Sequence, residues 1–127
     1  MKLSRFLLLP LLLTAFTAHA VTLDEVAGIY VGKMTATNSS GVTRFDQVTV
    51  IEPDGHVTFY LYAKGDTQPQ VVIGFINPLY EDGTFPVPNG SGQITLKGRH
   101  LTLTLNLPGL TTDFQGHRTD TALVLPH

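Results

Sequence analysis

Asp113, His117 and Asp120 fall in one short segment. A carboxylate beside an imidazole is the simplest acid–base pair a protein can build, and the same side chains are donors for a weak metal site. Residues of these types are mostly exposed, so solvated side chains near the start of a strand are the favoured account of them. His56 and His100 each follow a turn and open a strand. If they met across a sheet they would offer two imidazoles to zinc or copper. No third or fourth ligand accompanies them, and His127 at the chain end is a poor platform. Ser39, Ser40 and Ser91 are the only serines after residue 20, and none stands in a Gly-x-Ser-x-Gly turn. Neither His-Glu-x-x-His nor a glycine-rich phosphate loop occurs. Cysteine is absent, which removes disulfides, thiolate metal sites and a cysteine nucleophile together. The expectation is a protein that is not an enzyme, with no cofactor and no metal.

The segment that precedes the body explains where such a chain would work. Lys2 and Arg5 stand ahead of an apolar run from Phe6 to Phe16, and Ala18-His19-Ala20 follows. That is the layout of a cleaved secretory signal over residues 1–20. The run, broken by Pro10, is too short to span a bilayer, which needs about 20 apolar residues. Residues 21–127 then form a single domain, periplasmic or secreted, with no membrane span in its mature form. Without Lys2 and Arg5 the net charge becomes more negative than the −2 of the whole chain, and no basic patch suits a nucleic-acid partner. Asn38 and Asn89 head two Asn-x-Ser sequons, which matter only in a host that glycosylates exported proteins.

The elements that must position any site are β. Thr22 and Glu25 have capping-box spacing, so one helical turn is expected before Gly28. Seven strands follow, at about 28–36, 42–52, 56–64, 70–77, 92–97, 100–107 and 118–125, with a short edge piece at 83–87 as a candidate eighth. In "LTLTLNL" the leucines 101, 103, 105 and 107 share one face, and in the third strand Val57, Phe59 and Leu61 point inward while Tyr60 and Tyr62 point outward. In the second strand Phe45 fits one phase and Val48 and Val50 the other, which suggests a bulge near Asp46-Gln47. Pro78–Ser91 and Pro108–Gly116 lack strand character, and simple alternation of seven strands puts both loops at the end where the helical turn enters. The fold class is all-β: an antiparallel up-and-down barrel of 7–8 strands, with a β-sandwich as the alternative.

A helical turn running into Gly28-Ile29-Tyr30 and then antiparallel hairpins resembles the calycin superfamily of lipocalins, avidins and related barrels. Lipocalins begin their first strand with Gly-x-Trp, whose ring closes one barrel end, and here tyrosine stands in its place. The resemblance implies that Arg118, near the last strand, packs across the Tyr30 ring.

The expected function is non-catalytic binding of a small apolar molecule near the end closed by residues 22–27. Tyr30, Phe59, Phe75, Phe85 and Phe114 are the candidate contacts, the last two as loop lids. A small barrel is also readily filled by its own side chains. The alternative partner is another exported protein, held by Tyr60 and Tyr62, with the chain acting as an inhibitor or envelope assembly factor.

Overall fold

The computed structural model describes residues 20–120. Residues 1–19 of the expected export segment, and residues 121–125 of the expected last strand, lie outside the described residues. Thr22 caps one helical turn, α1 (Leu23–Val26), its hydroxyl accepting from the Glu25 N–H at 3.3 Å and donating to the Glu25 carboxylate at 3.1 Å. Eight strands follow: β1 (Gly28–Asn38), β2 (Gly41–Ile51), β3 (His56–Tyr62), β4 (Gln70–Phe75), β5 (Thr84–Val87), β6 (Gly90–Lys97), β7 (His100–Leu107) and β8 (Leu110–Thr119). They form a single sheet in the order β4-β3-β2-β1-β8-β7-β6-β5, every neighbouring pair antiparallel. One sheet curled on itself sets aside the sandwich.

Two expectations about the strands are corrected. The segment Pro108–Gly116 is not a loop: Pro108-Gly109 is a tight turn, and β8 begins at Leu110 rather than at 118. Its Leu-Thr-Thr-Asp-Phe run alternates only weakly, so neighbours on both sides, not local pattern, hold it extended. The edge piece at 83–87 is β5, so the chain completes eight strands, and the two loops fall at opposite ends. The 76–83 connection lies with α1, whereas the β7–β8 turn lies at the far end.

The expected bulge in β2 is absent as well. Its register runs unbroken from Gly28↔Ile51 to Asn38↔Gly41 on one side and from Asp46↔Tyr62 to Ile51↔Val57 on the other. The inward phase is Phe45, Gln47, Thr49 and Ile51, while Val48 and Val50 face out. The alternation misled because two polar residues point inward: Gln47 and Thr49 are buried, and Gln47 Nε2 donates to Thr49 Oγ1 at 2.9 Å. A satisfied polar pair is tolerated inside where a lone one is not.

The core gathers Val26, Tyr30, Met34, Ile51, Val57, Ile76, Phe85, Ile94, Leu101, Leu103 and Phe114. Each fully buried large apolar side chain contributes about 1.5–3 kcal/mol relative to exposure. Curling the sheet this tightly needs inward positions without side chains. Gly32 and Gly116 are cross-strand partners, and a Cβ on Gly32 would strike the Gln115 backbone; one on Gly116 would strike the Phe114 ring. Gly92, opposite Phe85, leaves the space that ring occupies.

Candidate functional site

At the α1 end the interior is plugged. Tyr30 has no exposure; its hydroxyl donates to the Val26 carbonyl at 2.8 Å and accepts from Arg118 Nη2 at 2.6 Å. The same Arg118 nitrogen also donates to the Glu25 carbonyl, and the guanidinium carbon lies 5.3 Å from the Tyr30 ring centre. α1, β1 and β8 are thereby tied at one point. Burial raises the Tyr30 phenol above its ordinary value, against the opposing pull of Arg118. Gly28 has a φ of +155°, and a Cβ there would sit 3.1 Å from Arg118 Nε, so the first residue of the Gly-Ile-Tyr triplet makes room for the arginine. Tyr30 lines neither of the apolar openings described next.

Those openings lie elsewhere. One is a cavity of about 230 Å³ at the end away from α1, walled by Met34, Phe59, Leu61, Leu105, Leu110 and Phe114 among others. Gln47 and Thr112 are the polar groups in its wall. Gln47 spends one amide N–H on Thr49, and its carbonyl oxygen accepts no hydrogen bond from a described residue. Tyr30 and Arg118 occupy the interior at the end closed by residues 22–27, and the space there is a smaller hollow of about 170 Å³ lined by Val21, Glu25, Val26, Leu96 and Gly98.

The second opening is lateral. β4 and β5 are consecutive in the chain and would be neighbours in a closed barrel, yet they are the two edges of the sheet. Between them runs a cleft of about 390 Å³ lined by Phe59, Val72, Phe75, Phe85, Val87 and Leu105, with others. It shares Phe59, Val72 and Leu105 with the end cavity, so the two spaces adjoin across one wall. β5 carries Pro86, which cannot extend a hydrogen-bonded ladder, whereas β4 bears neither proline nor charge along its edge.

The five candidate contacts are thus divided. Phe59 lines both spaces, Phe114 the end cavity, and Phe75 and Phe85 the lateral cleft. Phe85 and Phe114 are not loop lids, since both are buried strand residues of β5 and β8. Phe75 is 58% exposed, its ring centre 4.4 Å from that of His56.

The outer face holds what the sequence reading missed. Val31, Val48, Tyr60 and Val71 are successive partners across β1 to β4, and Ile29, Val50, Thr58 and Ile73 form the adjacent row. Both rows fall in the outward phase, and Val71 and Ile73 are 50% and 67% exposed. The signal was present in the run Val71-Val72-Ile73, apolar on both faces. Tyr60 and Tyr62 are half-buried there. The Tyr62 hydroxyl is buried without a partner, beside a cleft lined by Lys33, Arg44, Asp46 and Lys64, and burial raises its phenol.

The chemically suggestive side chains are all external. His56 does not meet His100: its Nδ1 lies 2.9 Å from Asp54 Oδ2, and the hydrogen bonds from His56 hold the Asp54 carboxyl below its ordinary value. His100 faces His117 instead, as its cross-strand partner. Asp113 accepts from Thr104 and Gln115, and Asp120 from Arg99, so neither is coupled directly to His117. Compared with protein-family models, curated proteins and solved structures, the chain matches none.

Proposed function

We propose that the chain is an exported, non-catalytic binding protein that holds an elongated apolar small molecule, built as a calycin-like barrel left open along one seam. The observation that carries this reading is the pair of adjoining apolar spaces, of about 230 and 390 Å³, that share Phe59, Val72 and Leu105. Small-molecule sites are concave, mostly apolar and of this order in volume, with a few polar groups to fix orientation. Gln47 and Thr112 are such groups, and they favour a ligand whose hydrocarbon body ends in one hydrogen-bonding function. The Tyr30–Arg118 plug makes the opposite end a floor, so a ligand enters at the open end or through the seam.

The test is a titration with a straight-chain fatty acid, read by displacement of a fluorescent apolar dye. Leu105→Trp, which fills the shared wall, and Leu110→Trp, at the rim of the end cavity, should each weaken binding at least 10-fold while the unfolding transition stays cooperative. Unchanged binding in both variants, or a solution structure with the interior filled by its own side chains, rejects the reading.

The exposed Val71 and Ile73 on the β4 edge, beside half-buried Tyr60, favour a second reading, a docking face for another exported protein such as an inhibitor's target or an assembly partner, because exposed apolar surface at an unpaired edge marks interaction sites. Capture of a stoichiometric partner that is lost with Tyr60→Ser or Val71→Ser, neither of which lines the two apolar spaces, while fatty-acid binding persists, selects it over the first.

A further inference from the structure

We infer that His100 and His117 form a two-imidazole site for a divalent transition metal of the copper or zinc kind, on the outer face of β7 and β8. The two histidines are direct cross-strand partners, His100 half-buried and His117 exposed. Their ring centres are 5.0 Å apart with the planes at 63°. Two imidazoles on one tetrahedral ion, with metal–nitrogen bonds of about 2.0–2.1 Å, also hold their ring centres about 5 Å apart. The rings now pack edge to face, and at this separation a turn of the exposed His117 ring, without movement of either strand, lets both imidazoles reach one ion.

A chain of hydrogen bonds sets the donor atom. Thr104 Oγ1 donates to Asp113 Oδ1 at 3.0 Å, and Gln115 Nε2 donates to Asp113 Oδ2 at 3.1 Å. An ionised carboxylate only accepts, so the Gln115 amide must turn its nitrogen to Asp113 and its oxygen to His100. Gln115 Oε1 lies 2.8 Å from His100 Nε2, and Thr102 also donates to that oxygen. In the neutral imidazole the proton is thereby placed on Nε2, and Nδ1 keeps its lone pair. A held oxygen that accepts the other ring N–H is the support that metal-binding imidazoles commonly have, and here Gln115, itself fixed by Asp113, supplies it. No group of three or more metal-ligating side chains occurs among the described residues, so water completes the coordination. Two neutral nitrogen donors select copper and zinc over magnesium and calcium, which take oxygen ligands.

Cupric chloride and zinc chloride, titrated separately into the full chain, test the site by calorimetry and by NMR of the histidine side chains. The expected result is one ion per chain, with the His100 and His117 signals perturbed together. His100→Ala and His117→Ala should each weaken binding at least 10-fold, as loss of either arm of a chelate must, and Gln115→Leu should weaken it about 10-fold. Binding that survives either alanine substitution overturns the proposal, as does perturbation centred on His56 or His127. The wild-type spectrum decides this even where a variant misfolds, and calcium chloride at the same concentrations should give no heat.

Discussion

Replacing Tyr30 by phenylalanine removes one oxygen and keeps the ring that fills the plugged end. The oxygen makes two bonds, donating to Val26 at 2.8 Å and accepting from Arg118 at 2.6 Å. A neutral buried hydrogen bond is worth about 1 kcal/mol net and one to a charged group about 1.5–3 kcal/mol. These figures are already net of the cost of desolvating the hydroxyl. Arg118 keeps the Glu25 carbonyl, but its buried Nε finds no acceptor even in the wild type, so the pocket has no spare acceptor to replace the lost oxygen. Tyr30→Phe should therefore destabilise the fold by about 2.5–4 kcal/mol, and lower the melting temperature by at least about 10 °C for a domain of this size. Urea unfolding followed by circular dichroism measures it, with an unchanged dependence on denaturant. Combined with Arg118→Met, the two losses should fall short of additive by about 1 kcal/mol or more. A loss under about 0.5 kcal/mol, or strict additivity, refutes the account of the plug as a coupled unit.

Gly92→Ala should destabilise by about 1–3 kcal/mol, because its Cβ would enter the Phe85 ring, and Phe85→Leu in the same chain should recover part of that in urea titrations. Alkaline stability follows from Tyr30. Its folded value is raised above 10.0, so the unfolded chain loses this proton first, and stability holds below about pH 10 and falls as pH rises through the folded value. Tyr30→Phe should flatten that fall, leaving the share that Tyr62 contributes in the same direction, which pH-dependent unfolding will read. Ile73→Lys, at a 67% exposed position on an unprotected edge, should leave stability within about 0.5 kcal/mol and slow aggregation at high concentration, measured by light scattering.

What the sequence revealed and what it hid divide along physical lines. Leu101, Leu103, Leu105 and Leu107 announced β7 because a one-sided strand must alternate, and Asp54-Gly55 announced the β2–β3 hairpin. The helical turn before Gly28 was legible because its cap lies within four residues. β8 was not legible, since Thr111, Thr112, Asp113 and Gln115 become strand only through partners on β1 and β7 that are distant in the chain. The phase of β2 was misread because Gln47 and Thr49 satisfy each other inside, a fact of tertiary geometry. Phe59 and Phe114 were recognisable by type as inward aromatics, yet the end at which each connection falls depends on counting strands correctly, and one missed strand reverses it. The histidine pair failed for the same reason: His117 sits on the strand that local pattern did not reveal.

The seam and the β1–β8 junction stand on opposite sides of the sheet. Sequence order and spatial order disagree at a single junction, where β1 meets β8 and Tyr30 reaches Arg118, 88 positions away. Every other ladder is a hairpin between chain neighbours. If the ends were joined and the chain reopened in the 76–83 connection, the strands would succeed one another in space as they do in sequence. That permuted molecule would have the same walls and the same openings, but no pairing would have to wait for a long loop to close. The slow search in forming this protein therefore belongs to the β1–β8 zipper alone, and contact order places its cost in the folding rate more than in the stability of the finished sheet.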